Sequence, residues 1–459
     1  MLSALCCAAE NSFVAFKGGD ISVTVPEQNE NSISCAQART GAIALLIAIA
    51  VVLAVVGLPA AHAQTFNILY NFTGGSDGGR PGAGITRDRA GNFYGTTQYG
   101  GDESCDGGGL PGCGVLYKFQ MTNKGPVLTP LYDFYEASEP FPEHPGVPTV
   151  GPDDGLYGVV SLGGPAGDDV GTVFAANPLN STQVPIGSGL YRVLYQFSET
   201  SDDGSYPTAL QPLQFDAAGN IYGATTYGGS ENFGTVYELV RSGSNWTYST
   251  LYSFLGGKDG ARPRGITFDD EGNIYGVASG GGNSGCSDRG CGSVFELTPS
   301  QSGWTKTILH SFQAGVDGGW PGPLIRDQAG NLYGLNEQWG PNASGGTVWE
   351  LSPSGGNWNV SVLYAFPTAI VSDFGPYAPT MDAAGNLYGI TGWGGPNNDG
   401  LLFKFTPNGD SWNFTDLYDF GSNACVPEGA VLLDAAGNIY GVTEGCGKYG
   451  GGVLWEFTP

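Results

Sequence analysis

Aromatic residues recur four or five positions after a Tyr-Gly pair in this sequence: Tyr99, Tyr227, Trp339 and Trp393. Neighbouring stretches add Tyr206, Trp320 and Tyr377, with Arg80 and Arg262 as hydrogen-bond donors. Flat rings beside Asp, Asn and Arg suit sugar faces, whose C–H groups stack on the ring while the hydroxyls bond to polar atoms. The ligand-binding candidates are therefore Tyr99, Tyr227, Trp320, Trp339, Trp393, Arg80 and Arg262. The competing reading is that these rings pack down between structural units.

Catalysis has less raw material. Beyond residue 63 the only histidines are His144 and His310, and His310 takes the place of a Tyr in a recurring Leu-Tyr-x-Phe pattern, which is a structural position. A Ser-His-Asp triad or a His-ligated metal is thus disfavoured, and no catalytic residue is assigned. All but four of the 43 acidic residues (Glu10, Asp20, Glu27 and Glu30) lie after residue 63. They leave room for a carboxylate pair of the glycoside-hydrolysing kind, but no distinctive pair stands out from the repeat. Asp77, Asp203, Asp259 and Asp317 have two readings: ligands for a structural Ca²⁺, or caps for their own turns. The Asp-Gly dipeptide favours the caps, and no EF-hand loop and no other cofactor motif is present.

The elements that position these residues are set by one stretch, Asp382-Ala-Ala-Gly-Asn-Leu-Tyr-Gly389, and six relatives ending at Tyr94-Gly95, Tyr157-Gly158, Tyr222-Gly223, Tyr275-Gly276, Tyr333-Gly334 and Tyr440-Gly441. Each reads as a strand end, a tight turn whose Gly supplies a positive φ, and the start of the next strand. Leu-Tyr-x-Phe recurs once per unit at a spacing that suits a four-stranded propeller blade. Strands a to d follow in constant order. The last unit stops at Trp455-Glu-Phe-Thr-Pro459 without strand d, and Thr65–Phe72 supplies a lone one. The predicted fold is all-β: a single seven-bladed β-propeller over residues 64–459, closed by its N-terminal strand, which removes an exposed edge. The second unit is divergent, with Asp153-Asp-Gly-Leu-Tyr157 at its turn.

Leu-Tyr-x-Phe, Asp-Gly-x-x-Pro, Asp-Ala-Ala-Gly-Asn-Leu-Tyr-Gly and the Gly-rich loops together resemble the bacterial choice-of-anchor GloVer-containing tandem repeats, over about residues 66–459. The resemblance implies exported proteins, often tethered to the envelope by a C-terminal anchor, and assigns no activity. No anchor follows Pro459 in this sequence, so free secretion or periplasmic residence is expected.

Export is also read from the N-terminus. An apolar run, Ala42–Leu58, follows Arg39 and precedes Ala61-His-Ala63, a secretory signal with cleavage near Ala63. Residues 1–63 are accordingly an extension and signal peptide, and the mature chain has no membrane span. Six Cys remain, and residues sharing one loop or one face pair as Cys105–Cys113, Cys286–Cys291 and Cys425–Cys446. The net charge of −26 repels phosphate backbones and argues against a nucleic-acid partner. The chain is expected to be a monomeric, exported binding module for glycans or envelope proteins. The alternative is a polysaccharide-degrading hydrolase or lyase on the same scaffold.

Overall fold

The computed structural model describes residues 64–102, 111–134, 145–163, 170–177, 191–198, 202–243, 245–343, 345–367, 377–409 and 411–459. It also gives the backbone of a short antiparallel pair, Ala15–Lys17 with Asp20–Ser22, in a separate unit of residues 1–63. The signal segment and its cleavage site lie outside the described residues.

Residues 64–459 form seven antiparallel blades in a ring, each with its strands in the order a, b, c, d. Blade 4 is the most regular: Ala261–Phe268, Ile274–Gly280, Ser293–Ser300 and Gly303–Ser311. The predicted loop residue Arg262 is therefore part of strand a, paired through its neighbours with the end of strand b. In blades 3 and 5 strand a is broken into two pieces, Gly204–Pro207 with Gln214–Phe215 and Gly319–Pro321 with Ile325–Arg326.

Each a–b turn is built on its Asp. Asp382 Oδ1 accepts the Ala384 and Asn386 amides, both at 2.9 Å, and Oδ2 accepts Asn386 Nδ2 at 2.7 Å and the Tyr388 hydroxyl at 3.0 Å. This is an Asx cap closed by a tyrosine. It recurs at Asp88, Asp216, Asp269, Asp327 and Asp434. The divergent second unit keeps the core of it, with Asp153 accepting from Gly155 N and the Tyr157 hydroxyl.

The Gly after that tyrosine has a packing role. In all seven blades it faces an aromatic residue of strand c: Gly389 opposite Phe403, Gly334 opposite Trp349, Gly441 opposite Trp455 and so on round the ring. A β-carbon on Gly389 would stand 2.5 Å from Phe403 Cζ. The ring lies across bare backbone, fully buried, and the blade core forms above it. The Phe closing Leu-Tyr-x-Phe, just past strand d, completes the core of the next blade, as Phe254 against Phe295 and Phe312 against Trp349, all fully buried.

Blades are joined at the residue before the recurring proline. Arg80, Tyr206, Arg262, Trp320 and Val426 all have φ between +52° and +60°. Each donates its amide to the preceding blade, at Gly451, Val170, Phe233, Cys291 and Asp399 respectively. The Arg80 bond is also a closure contact between blades 7 and 1. Closure is completed by Thr65–Asn71, which pairs antiparallel with Val453–Thr458 and stacks Phe66 on Tyr418 at 3.9 Å.

Two stability outcomes follow. Gly389→Ala pushes against Phe403 and should destabilise by about 2 kcal/mol in denaturant unfolding, as overpacked cores do. Deleting residues 64–72 uncovers strand c of blade 7. The truncated protein should melt lower and self-associate by size-exclusion chromatography.

Candidate functional site

The d–a and b–c loops emerge on one face because the start of strand a pairs with the end of strand b, as in Gly79 with Tyr99, Ser205 with Tyr227 and Gly319 with Gln338. The predicted aromatic and arginine residues lie on this face in small groups. Arg80 sits over the Tyr99 ring at 5.9 Å in blade 1. Tyr206 and Tyr227 of blade 3 meet edge-on at 5.6 Å, and Arg262 of blade 4 covers Tyr227 at 5.2 Å. Trp320 and Trp339 of blade 5 meet edge-on at 4.3 Å, and Trp320 Nε1 donates to the Gly290 carbonyl of blade 4 at 3.1 Å. Trp393 of blade 6 stands apart and is 46% exposed. Trp339 has φ +58°, at a place where blades 1, 2, 3, 4 and 6 carry Gly100, Gly163, Gly228, Gly281 and Gly394. A β-carbon in that conformation is costly, and such outliers cluster at binding sites.

The loop aspartates are tied into their own turns. Asp77 accepts from Thr73 and Tyr70, Asp259 from Leu255, Tyr252 and Lys306, and Asp317 from Gln313 with His310 beside it at 2.7 Å. Among the described residues no group of three or more His, Cys, Asp or Glu is arranged around a metal position. Cys286–Cys291 and Cys425–Cys446 are disulfides with Cα separations of 4.9 and 5.4 Å. Cys113 is disulfide-bonded, and Cys105 lies outside the described residues, as does His144.

Inside the rim is a feature that repeat-level reading missed. The position after the recurring proline belongs to strand a, at the inner end of each sheet, and differs in every blade that breaks from Gly: Thr208, Arg264, Tyr377 and Glu428, against Gly82, Gly146 and Gly322. Glu428 lies beside Glu444 of the adjacent strand and Tyr377 of blade 6, which is itself only 8% exposed and offers no stacking face. Arg80 reaches Glu444 at 3.4 Å, and Arg264 pairs with Glu337. Burial first, then the charge of Glu444, pushes the Glu428 carboxyl up to about 8. Burial and the nearby Glu428 charge raise the Tyr377 phenol well above its usual range.

Below this level the axis is blocked. Pro207 and Asp216 stand nine positions apart, against six for Pro263 and Asp269 or Pro321 and Asp327. The three extra residues, Ala209 to Gln211, cross the ring. Ala209 packs on Gly146 of blade 2, Gln211 Nε2 donates to the Leu324 carbonyl of blade 5 at 3.2 Å, and Leu210 packs on the core shared by blades 6 and 7. The mouth is therefore a cup with a floor. The spacing anomaly in the third unit was the available sequence signal for the floor; Glu428 and Glu444, on adjacent strands, gave none.

Two overlapping matches to the Gloeobacter/Verrucomicrobia repeat, at residues 180–373 and 321–459, take in more than half of the sequence. The chain belongs to the Gloeobacter/Verrucomicrobia repeat family. No curated protein matches this family member by sequence. Solved propellers do match its fold. A PL25 polysaccharide lyase, Ulvanlyase, bound to -[GlcA(1-4)Rha3S]- aligns with a TM-score of 0.50 at 11% identity, over 82% of this chain and 92% of that one. The extracellular domain of a one component system from B. thetaiotaomicron gives 0.50 at 11%, over 86% of this chain and 40% of that one. A gluconolactonase from Xanthomonas campestris gives 0.40 at 14%, over 74% and 89%. At these identities the likeness concerns the fold alone.

The Glu428 carboxyl sets a pH dependence. In the folded protein it keeps its proton up to about 8, whereas unfolded it loses it near 4.5. Across that window the native state binds the extra proton, so its stability falls as pH rises. Glu428→Gln should flatten the slope of unfolding free energy against pH between those values, measured by denaturant titration.

Proposed function

We propose that this protein is an exported carbohydrate-binding propeller that holds neutral polysaccharide on the loop face around its closed cup. The observation that carries the reading is the Trp320–Trp339 pair, two large half-buried rings held on positive-φ backbone at the mouth rim. The positive φ under Trp339, where most other blades keep glycine, lowers stability, which is understandable where the ring serves a ligand. The Tyr99–Arg80 and Tyr227–Arg262 groups supply further platforms in blades 1, 3 and 4, each pairing an aromatic face with a charged donor. Several shallow sites on one polymer give useful affinity through multivalency where each alone is weak. Disulfides in the rim loops accord with an exported protein, since such bonds persist in oxidising compartments. Among the described residues no helix is long and apolar enough to cross a membrane.

The test is retention on an insoluble neutral polysaccharide. Trp339→Gly supplies the residue that five other blades carry at this place, so the fold should survive. Combined with Trp320→Ala, it should weaken retention about tenfold or more, the loss of a little over 1 kcal/mol. Retention equal to wild type in the folded double variant removes these rings from the site. Sugar released into the supernatant by the wild type would favour the hydrolase or lyase reading instead.

A further inference from the structure

Most charged clusters in the ring are struts. Lys306, with its side chain only 3% exposed, caps the loop of Asp259, and the His310–Asp317 contact closes the loop of blade 5. Neither offers a free face. The cup differs on three counts: it occurs once, it mixes donors with acceptors, and its polar groups are reachable. The side chains of Arg80 and Glu444 are 48% and 25% exposed.

We infer that the cup is an end-on subsite: it receives the terminal sugar of a neutral polysaccharide, whose hydroxyls bond to Glu428, Glu444, Gln98 and Arg80 above the Leu210–Gln211 floor. The inference rests on the glycan reading of the loop face and names the part of the chain that enters it.

The floor decides for an end. With Leu210 and Gln211 spanning the axis, a polymer does not thread through the ring, and only a terminus can descend below the rim. Gly82 lets the Gln98 side chain lie beside Glu428 in the wall of the cup. A β-carbon there would stand 2.2 Å from Gln98 Nε2 and 3.2 Å from Glu428 Oε2, so the amide and the carboxyl meet over bare backbone. Charge decides for a neutral sugar. Arg80 offsets Glu444, Arg264 offsets Glu337, and Glu428 holds its proton at neutral pH, so the lining is close to uncharged within a strongly acidic protein. A uronate would have to be desolvated against two glutamates. Vicinal hydroxyls, which both donate and accept, match a carboxylic acid beside a carboxylate with guanidinium and amide donors around them.

The same geometry argues for holding over cutting. Glycosidases place their carboxyl groups about 5 Å apart or further, to admit a nucleophile's target or a water. Glu428 and Glu444 are instead diagonal neighbours on the paired strands a and b of blade 7, side by side on one wall and not flanking a bond from two sides. Tyr377, buried beside Glu428 with its phenol held well above the usual range, is a poor base.

The groups facing Glu428 are Glu444 on the adjacent strand, Tyr377 of blade 6 and Arg80 of blade 1. When Glu428 ionises, it stops donating and repels Glu444, so binding should weaken. The experiment is calorimetric titration of the full chain with short cello-, xylo- and manno-oligosaccharides at about pH 6 and about pH 9. At least one series should bind, and more weakly at the higher pH. Glu428→Ala should reduce its affinity about tenfold or more. Glu428→Gln, which keeps a neutral donor, should retain binding and lose the pH dependence, so the inference remains testable if the alanine variant fails to fold. Polymer of the same sugar should compete in proportion to its number of chain ends, so that shortening it at constant mass raises competition. Competition that follows mass, or unchanged affinity and pH dependence in the Glu428 variants, overturns the end-on subsite and leaves the rim reading standing. Failure of both oligosaccharides and insoluble polymer to bind overturns both.

Discussion

The fold depends on an aromatic ring lying flat over a glycine. Once per blade, strand b presents bare backbone and strand c lays Phe, Tyr or Trp across it, from Gly95 under Tyr117 to Gly441 under Trp455. Each ring so buried contributes on the order of 2 kcal/mol from removal of apolar area alone. The contact also fixes register, because a one-residue slip would turn the ring to the other face. The Asp–Tyr turn cap sits directly before this glycine, so one short stretch of sequence sets the turn, the start of the strand and the seat of the core.

That economy explains what can be read from the sequence and what cannot. Blade number, strand order and ring closure are legible because every period spells the same turn and the same ring-on-glycine contact. The disulfides Cys286–Cys291 and Cys425–Cys446 are legible because their cysteines share a loop or a face of one blade. Side-chain partners at the mouth are a different matter. Strand a is innermost, so residues from different blades meet across the axis with no local signature. Tyr377, Glu428 and Arg80 come from three blades, and nothing in their immediate neighbourhoods marks them as partners. Tyr377, which by residue type belongs with the stacking rings, is instead buried under a carboxyl. The rim rings also prove to be mutual neighbours, Trp320 with Trp339 and Tyr206 with Tyr227, where periodicity suggests evenly spaced single platforms.

Symmetry and its breakage are divided by radius. The outer strands repeat closely, with the Trp of strand d in blades 3 to 6 at one register position. Individual character is concentrated within the first residues of strand a and the last of strand b. There a glycine becomes Glu428 or Arg264, a left-handed glycine becomes Trp339, and three residues are added after Thr208. A repeat scaffold tolerates this because the inter-blade bond is made by backbone: the amide before the proline reaches the preceding blade whichever side chain it carries. The side chain is then free to vary, provided it accepts a positive φ.

The seam between the two ends of the chain also governs time. Thr65 lies opposite Thr458, so the first strand of the ring to be synthesised is the last to find its partner. At ordinary rates of chain elongation it waits on the order of half a minute, an apolar strand of Phe66, Ile68 and Tyr70 with no neighbour. Blades 1 to 6 each hold all four of their strands within one stretch of sequence and can form as the chain lengthens. The seventh cannot. Final closure is therefore a late step of high contact order, taken after the remainder of the ring has become a template with one gap of the right width.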